Sequence, residues 1–271
     1  MSLPRFDADI APPISNDGRR TINNKYFAIK TKKAMKIKKI KKQHVVSKMF
    51  AIAVVMMMGV AFTACSSNED PKPNPDAVKY VDLGLPSGTK WAACNLGATK
   101  PEEYGDLYAW GETKTKEKYD WTTYTLCEGS ENSLTKYCVD SDFGYNDLID
   151  GMKVLEAEDD VATVKLGAPW HMPSPDDIQE LIDNCNWEWT EINGVKGYKV
   201  IGTNDNFIFL PAAGYRVESE LKNVDISGSY LSSSLYTGNC SCIYNLYFLK
   251  ESINCPSDNR YFGNSVRAVR K

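Results

Sequence analysis

WHMPSPDDIQELIDNCNWEW, residues 170–189, carries the one strong helix signal in the chain. Ser174 or Asp176 is placed to cap a helix whose apolar positions Ile178, Leu181 and Ile182 recur at helical spacing. Asp176, Asp177 and Glu180 load its first turns with negative charge, which complements the partial positive charge of a helix N-terminus. These carboxylates therefore read as helix-start residues rather than catalytic ones. Downstream, Asn193-Gly194 between Trp189 and Tyr198 has the chemistry of a tight hairpin turn. Short strands are expected at 197–201, 206–210, 229–234, 243–249 and 264–269, separated by Gly, Asn and Asp. Upstream, YVDLGLPSGTKW (80–91) reads as strand, Pro-Ser-Gly turn and strand, and a further strand is expected at 106–110. A second, weaker helix is expected around 147–164, where Asp159 and Asp160 precede VATV. Few helices among many short strands give an α+β domain, and no internal repeat is present.

Charge divides the chain. Residues 1–64 hold 13 basic and 3 acidic residues, a balance of +10, whereas the rest holds 19 basic and 32 acidic residues, a balance of −13. A targeting segment ahead of a soluble, acidic body fits that split. Past residue 64 the only basic cluster is the tail Arg267, Arg270 and Lys271. Nucleic acid is not an expected partner, because binding it requires cations that displace counterions from phosphates. The 207 residues of the body suffice for one domain with its own core.

The leader has three parts. MKIKKIKKQHVVSK (35–48) is basic, MFAIAVVMMMGVAF (49–62) is apolar, and Thr63-Ala64 precede Cys65. This is signal-peptide architecture, and the apolar run is short of the roughly 20 residues that span a bilayer. SSNEDPKPNPD (66–76) then forms a polar, Pro-rich tether. The expected organisation is an upstream extension over 1–34, with Met35 the better start, then a signal peptide over 35–64, a tether over 65–78 and a folded domain over 79–271.

Signals for chemistry are sparse. The body has one histidine, His171, which beside Trp170 and Pro173 reads as structural. Cys240 and Cys242 lack a second pair at zinc-finger spacing, and no Gly-rich phosphate loop occurs. The expectation is a protein without catalytic residues, metal or cofactor. Seven cysteines follow Cys65. In an oxidising compartment an odd number leaves one thiol free or bonded between molecules. Cys240 or Cys242 is placed to close a local loop with Cys255, and the remaining pairing is open.

Seven blocks occur in order: VDLGLPSGTKWAACNLGA (81–98), YGDLYAWGET (104–113), LTKYC (134–138), the opening stretch (170–189), IFLPAAGYR (208–216), GSYLSSS (228–234) and NSVRAVR (264–270). Together they resemble the Fibrobacter succinogenes major paralogous domain, a family abundant in lipoproteins of Bacteroides and its relatives. The resemblance implies a C-type-lectin-like fold, in the branch shared with formylglycine-generating enzymes. His171, Ile178 and Leu231 stand where that pattern has Arg, Trp and Trp, and Leu231 would remove an aromatic from a ligand-facing region. Phe62-Thr63-Ala64-Cys65 resembles the bacterial lipobox, which implies cleavage before Cys65, a diacylglycerol on its thiol and an outer-membrane, surface-exposed protein whose membrane partner is reached through that lipid. The glutamate-proline-asparagine type of calcium-sugar motif is absent from the sequence.

Between the last two blocks, 29 residues (236–264) hold 16 Asn, Ser, Tyr, Cys or Asp residues. Tyr gives broad amphipathic contact at low entropy cost, and Ser and Asn adapt their hydrogen bonds. The mixture resembles the segment that diversity-generating retroelements write into C-type-lectin-like proteins, although duplication within a large family produces the same result. Tyr236, Asn239, Tyr244, Asn245, Tyr247, Asn259 and Tyr261 are the candidate ligand-binding residues, some of them inward-facing because strands alternate faces. The expected function is a surface receptor or adhesin for a protein or glycan. The alternatives are a structural envelope or fimbria-associated component and, further off, an oxidoreductase using Cys240, Cys242 and Cys255.

Overall fold

The structure is a computed structural model and describes residues 73–271. The upstream extension, the signal peptide and Cys65 lie outside the described residues. Among the described residues are two α-helices, α1 (Val161–Leu166) and α2 (Pro175–Asn184), and twelve short strands. All ladders between the strands are antiparallel, so the domain is α+β. No helix of the described residues is long and apolar enough to cross a membrane.

The first sheet is formed by β1 (Tyr80–Asp82), β2 (Lys90–Ala92) and the C-terminal β12 (Val269–Arg270). It ties the two ends of the domain together. The second is a meander of β3 (Asn186–Ile192), β4 (Val195–Ile201) and β5 (Phe207–Pro211), turned at Asn193-Gly194 as the sequence predicts. Asn193 and Gly194 both take positive φ, 52° and 86°, the geometry that a two-residue hairpin demands. A small hairpin, β6 (Tyr215–Val217) with β7 (Glu220–Lys222), follows. In the last sheet β8 (Ser227–Leu235) pairs along one edge of β9 (Cys242–Leu249), while β10 (Ser252–Asn254) and β11 (Ser257–Asn259) occupy successive parts of the other edge.

Helix α2 begins where the capping residues put it. Ser174 is the N-cap, its Oγ accepts from the Asp177 amide, and the Asp177 carboxylate accepts in return from the Ser174 amide at 2.9 Å. Asp177 also accepts from Thr89 Oγ, and Glu180 accepts from the Ser87 amide and hydroxyl, so the first turns of α2 are fastened to the β1–β2 turn. Ile178 and Leu181 are buried in a core with Trp91, Tyr198, Tyr230 and Phe248. The weaker helix is shorter than expected. Within 147–164 only the segment from Val161 onward is α-helical, because Asp160 caps it there and also accepts from the Met172 amide.

Two expected strands are not strands. At 106–110 only Tyr108 is bridged, to Asn264, because Gly105 and Gly111 hold left-handed backbone on either side (φ 72° and 76°). Of 264–269 only Val269 belongs to a strand, and Asn264 and Ser265 make single bridges to Tyr108 and Tyr230. Arg267 explains the irregular course of that segment. It is fully buried, donating to Asn95 Oδ1 and to the carbonyls of Ala92, Ala93 and Phe209, and so contributes nothing to a basic surface tail. Packing also starts earlier than residue 79. Asn74 caps a short turn over Pro75–Ala77, and the Pro75 carbonyl accepts from the indole of buried Trp170.

Strand β9 passes from one core to another. Leu246 and Phe248 lie on one face and enter the core beneath α2. Ile243, on the opposite face, enters a second core with Leu231, Leu235 and Trp110. Each face of the strand is therefore buried at one end and open at the other. Leu231 is fully buried in this second core, so position 231 faces the interior rather than a ligand.

Candidate functional site

The open parts of the C-terminal segment follow from that crossover. Tyr244 is half-buried on the face opposite to Ile243, and its ring meets Tyr236 edge-on at 5.3 Å. Tyr247 emerges on the other face, in register with Ser229 and Asn254. Asn245 is an inward member of the set. It is fully buried and its Nδ2 donates to Ser229 Oγ at 2.8 Å, so it supports the sheet and touches no ligand. Asn239 shapes a turn, its Oδ1 accepting from the Ser241 amide and hydroxyl. Asn259 is half-buried and paired in register with Cys242. The seven candidates thus divide between two faces and do not form one surface.

Tyr261 belongs to a larger array. Its ring lies 4.8 Å from Trp121 and 4.8 Å from Phe262, and Phe262 in turn stacks on Tyr215 at 5.6 Å with the planes only 12° apart. All four rings are half-buried. Paired backbone hydrogen bonds fix the row from below, Arg216 with Gly263 and Tyr119 with Glu218. Gly263 allows the close approach there, since a Cβ would come within 2.8 Å of the Tyr119 ring. Burial pushes the Tyr261 hydroxyl up, with help from the nearby carboxylates of Asp258, Glu218, Asp120 and Glu131. The row is an apolar platform with an acidic border, and Lys118 pairs with Asp120 and Glu218 at that border. Trp121, Tyr215 and Phe262 are not among the sequence candidates. Their composition gives no hint of a row, because it is assembled from three segments far apart in the chain.

Asp258, on β11 beside Asn259, is the unusual carboxyl of the region. Burial raises it to about 6, against a hydrogen bond from the Asn259 amide. The cysteines do not take up the expected local pairing. Cys242 is in register with Asn259, whereas Cys255 lies between β10 and β11, past the Ser257↔Tyr244 pair and before the Asn254↔Tyr247 pair, roughly 10 Å or more along β9 and outside disulfide reach. Cys240 is buried and turned toward Cys138 instead.

Other polar groups are occupied internally. Glu156, Glu158 and Asp159 bring their carboxylates within 4.8 Å of one another. The Lys136 ammonium already sits among them at 2.6–3.2 Å. Burial pulls that lysine down, but its bonds to Asp159, Glu156 and Glu158 outweigh this and hold it above its usual range. A depression of about 540 Å³ is lined in part by Glu112, Lys116 and Thr125, and there Lys116 pairs with Glu112 and lies over the rings of Tyr119 and Tyr124. His171 exchanges backbone hydrogen bonds with Val269 on β12, and its Nδ1 lies 3.0 Å from the Pro169 carbonyl. No protein-family profile, curated protein or solved structure matches the chain.

Proposed function

We propose that this protein is an exported lipoprotein, held at the outer membrane through lipid on Cys65, whose C-type-lectin-like domain binds a protein or glycan ligand. The observation that carries the binding reading is the row Trp121–Tyr261–Phe262–Tyr215, four half-exposed rings in mutual contact on a backbone fixed from below. Aromatic rings with one face free give large contact area at small entropic cost, and they dominate the energetics of recognition surfaces. Tyr236 and Tyr244 supply a second, smaller pair on the same C-terminal segment. The lipobox-like Cys65 and the polar tether after it support display of the domain away from a membrane.

The test is binding of the full chain to protein and glycan arrays, compared with Trp121→Ala and Tyr261→Ala. Each substitution removes a half-exposed ring and is expected to weaken binding roughly tenfold, about 1.4 kcal/mol. Full binding retained by both variants, and by Tyr236→Ala with Tyr244→Ala, would remove the ligand from the row and from the smaller pair alike. An array with no bound species would sink the receptor reading itself.

A further inference from the structure

We propose that Cys138 and Cys240 form a structural disulfide that clamps the start of the C-terminal aromatic segment to the LTKYC block. Both side chains are buried, 0% and 1% exposed, in one apolar cluster. The chain on either side of Cys138 converges on Cys240. Ahead of it, the Tyr137 carbonyl accepts from Arg260 Nη1 at 3.1 Å, and the Cys240 carbonyl accepts from the same nitrogen at 3.2 Å. Behind it, the Val139 amide donates to Cys240 Sγ itself at 3.3 Å. A single guanidinium nitrogen and a single amide thus bring the backbone on both sides of Cys138 up to Cys240, and Cys240 is close enough to help raise the Cys138 thiol. Arg260 is fully buried and also donates to the Tyr124 hydroxyl and the Lys136 carbonyl, so the junction is held whether or not the sulfurs are bonded.

The other cysteines are elsewhere. Cys127 shares the cluster, but its Sγ is committed to the Trp121 carbonyl at 3.2 Å. Cys185 and Cys255 pack against the separate core beneath α2, and Cys242 is half-exposed on β9. All seven cysteines after Cys65 stand as thiols in the structure, and joining 138 to 240 would leave five.

The chemistry is a two-electron oxidation. Each thiol gives up its hydrogen, the Sγ–Sγ bond forms, and two electrons and two protons pass to the disulfide of an exchange partner, such as oxidised glutathione, which leaves as two thiols. Exchange needs a thiolate with access to that partner. Burial holds the Cys138 thiol above its usual range, and its S–H donates to the Asp140 carbonyl at 3.0 Å. The bond therefore forms while the chain is folding, before the cluster closes. It closes a loop of roughly a hundred residues, which restricts the unfolded chain more than a short loop would.

The experiment uses the full chain, released from denaturant into glutathione buffers of graded redox ratio. Remaining thiols are then alkylated, and linked peptides are mapped by mass spectrometry without reduction. The expected result is a Cys138–Cys240 peptide as the main internal link, with Cys127 alkylated and with a melting temperature that falls by several degrees when the bond is reduced. Alkylation of both cysteines at every ratio, or a main link from Cys240 to Cys242 or Cys255, overturns the proposal. Cys127→Ser separates the neighbours: the link persists if the assignment is right, and its loss from a variant with wild-type circular dichroism overturns it.

Discussion

The β3–β4–β5 meander and the stretch from Ala93 to Asp160 are stabilised in different ways. The meander is a regular ladder whose inner side chains, Tyr198, Val200, Ile208 and Leu210, meet α2 and β9 in a core rich in aromatic edges. Trp187, Trp189, Tyr198 and Phe248 are all in contact there, at centroid distances of 5.1–6.4 Å. The Ala93–Asp160 stretch contains no ladder strand among the described residues. Its backbone is satisfied by turns and single bridges, and at several points by individual side chains. Asp150 accepts from the amides of Tyr137, Cys138 and Met152, and Arg260 donates to the carbonyls of Lys136 and Tyr137. Regular structure spreads its stability over many equal contacts, whereas irregular structure concentrates it in a few polar anchors. The aromatic row stands at the boundary, with Trp121 supplied by the irregular part and Tyr215, Tyr261 and Phe262 by the C-terminal half.

Substitutions can separate the two regimes. The largest loss is expected from Phe248→Ala, about 4 kcal/mol in urea unfolding, because the ring touches four other aromatics and Gly228 packs directly against it. Arg260→Met is expected to cost about 3 kcal/mol, since Met fills the space but leaves three carbonyls and the Tyr124 hydroxyl without their donor. Hydrogen exchange sharpens the contrast. In Arg260→Met the amides of Val139, Asp150 and Gly151 should lose protection while those of β4 keep it. Equal loss in both regions would show one cooperative unit and dissolve the comparison.

A third test uses pH. The folded-state value of Asp258 is raised to about 6 from the ordinary 3.8 by burial, so the folded protein holds this proton more tightly than the unfolded chain. That contribution is complete below about 4 and is lost as pH rises through about 6, a change on the order of 2–3 kcal/mol. Asp258→Asn should therefore match the wild type near pH 4 and exceed it at pH 7 in urea titrations; an unchanged difference between those pH values would refute it. The smallest effect is expected from Ser174→Ala, about 1 kcal/mol by thermal unfolding, because it removes only the cap of α2.

The same contrast explains what could be read from the sequence. Helix α2, the Asn193-Gly194 turn and strands β4, β5, β8 and β9 were legible because periodicity and turn chemistry are local signals. The failures at 106–110 and 264–269 come from the irregular stretch and its partner, where Arg267 and two left-handed glycines override strand-like composition. Tyr261 was legible as a candidate from its Tyr/Asn-rich surroundings. Its ring partners Trp121 and Tyr215 were not, since nothing local to either announces the other. Asn245 has the same composition signal as Tyr244 and the opposite position, buried against Ser229. Composition identifies a segment rich in contact residues, and only the ladder register shows which of them face outward.

The crossover of β9 between two cores has a consequence for how this strand can change. Ile243, Asn245, Leu246 and Phe248 are spoken for by the interior, while Cys242, Tyr244, Tyr247 and Leu249 retain exposed surface. A combinatorial library built on the strand would have four free letters, two opening on each side of the sheet. Randomising alternate positions, the natural scheme for a strand with one wet face, would overwrite the hydrophobic interior at one end or the other. The admissible alphabet must switch parity halfway along.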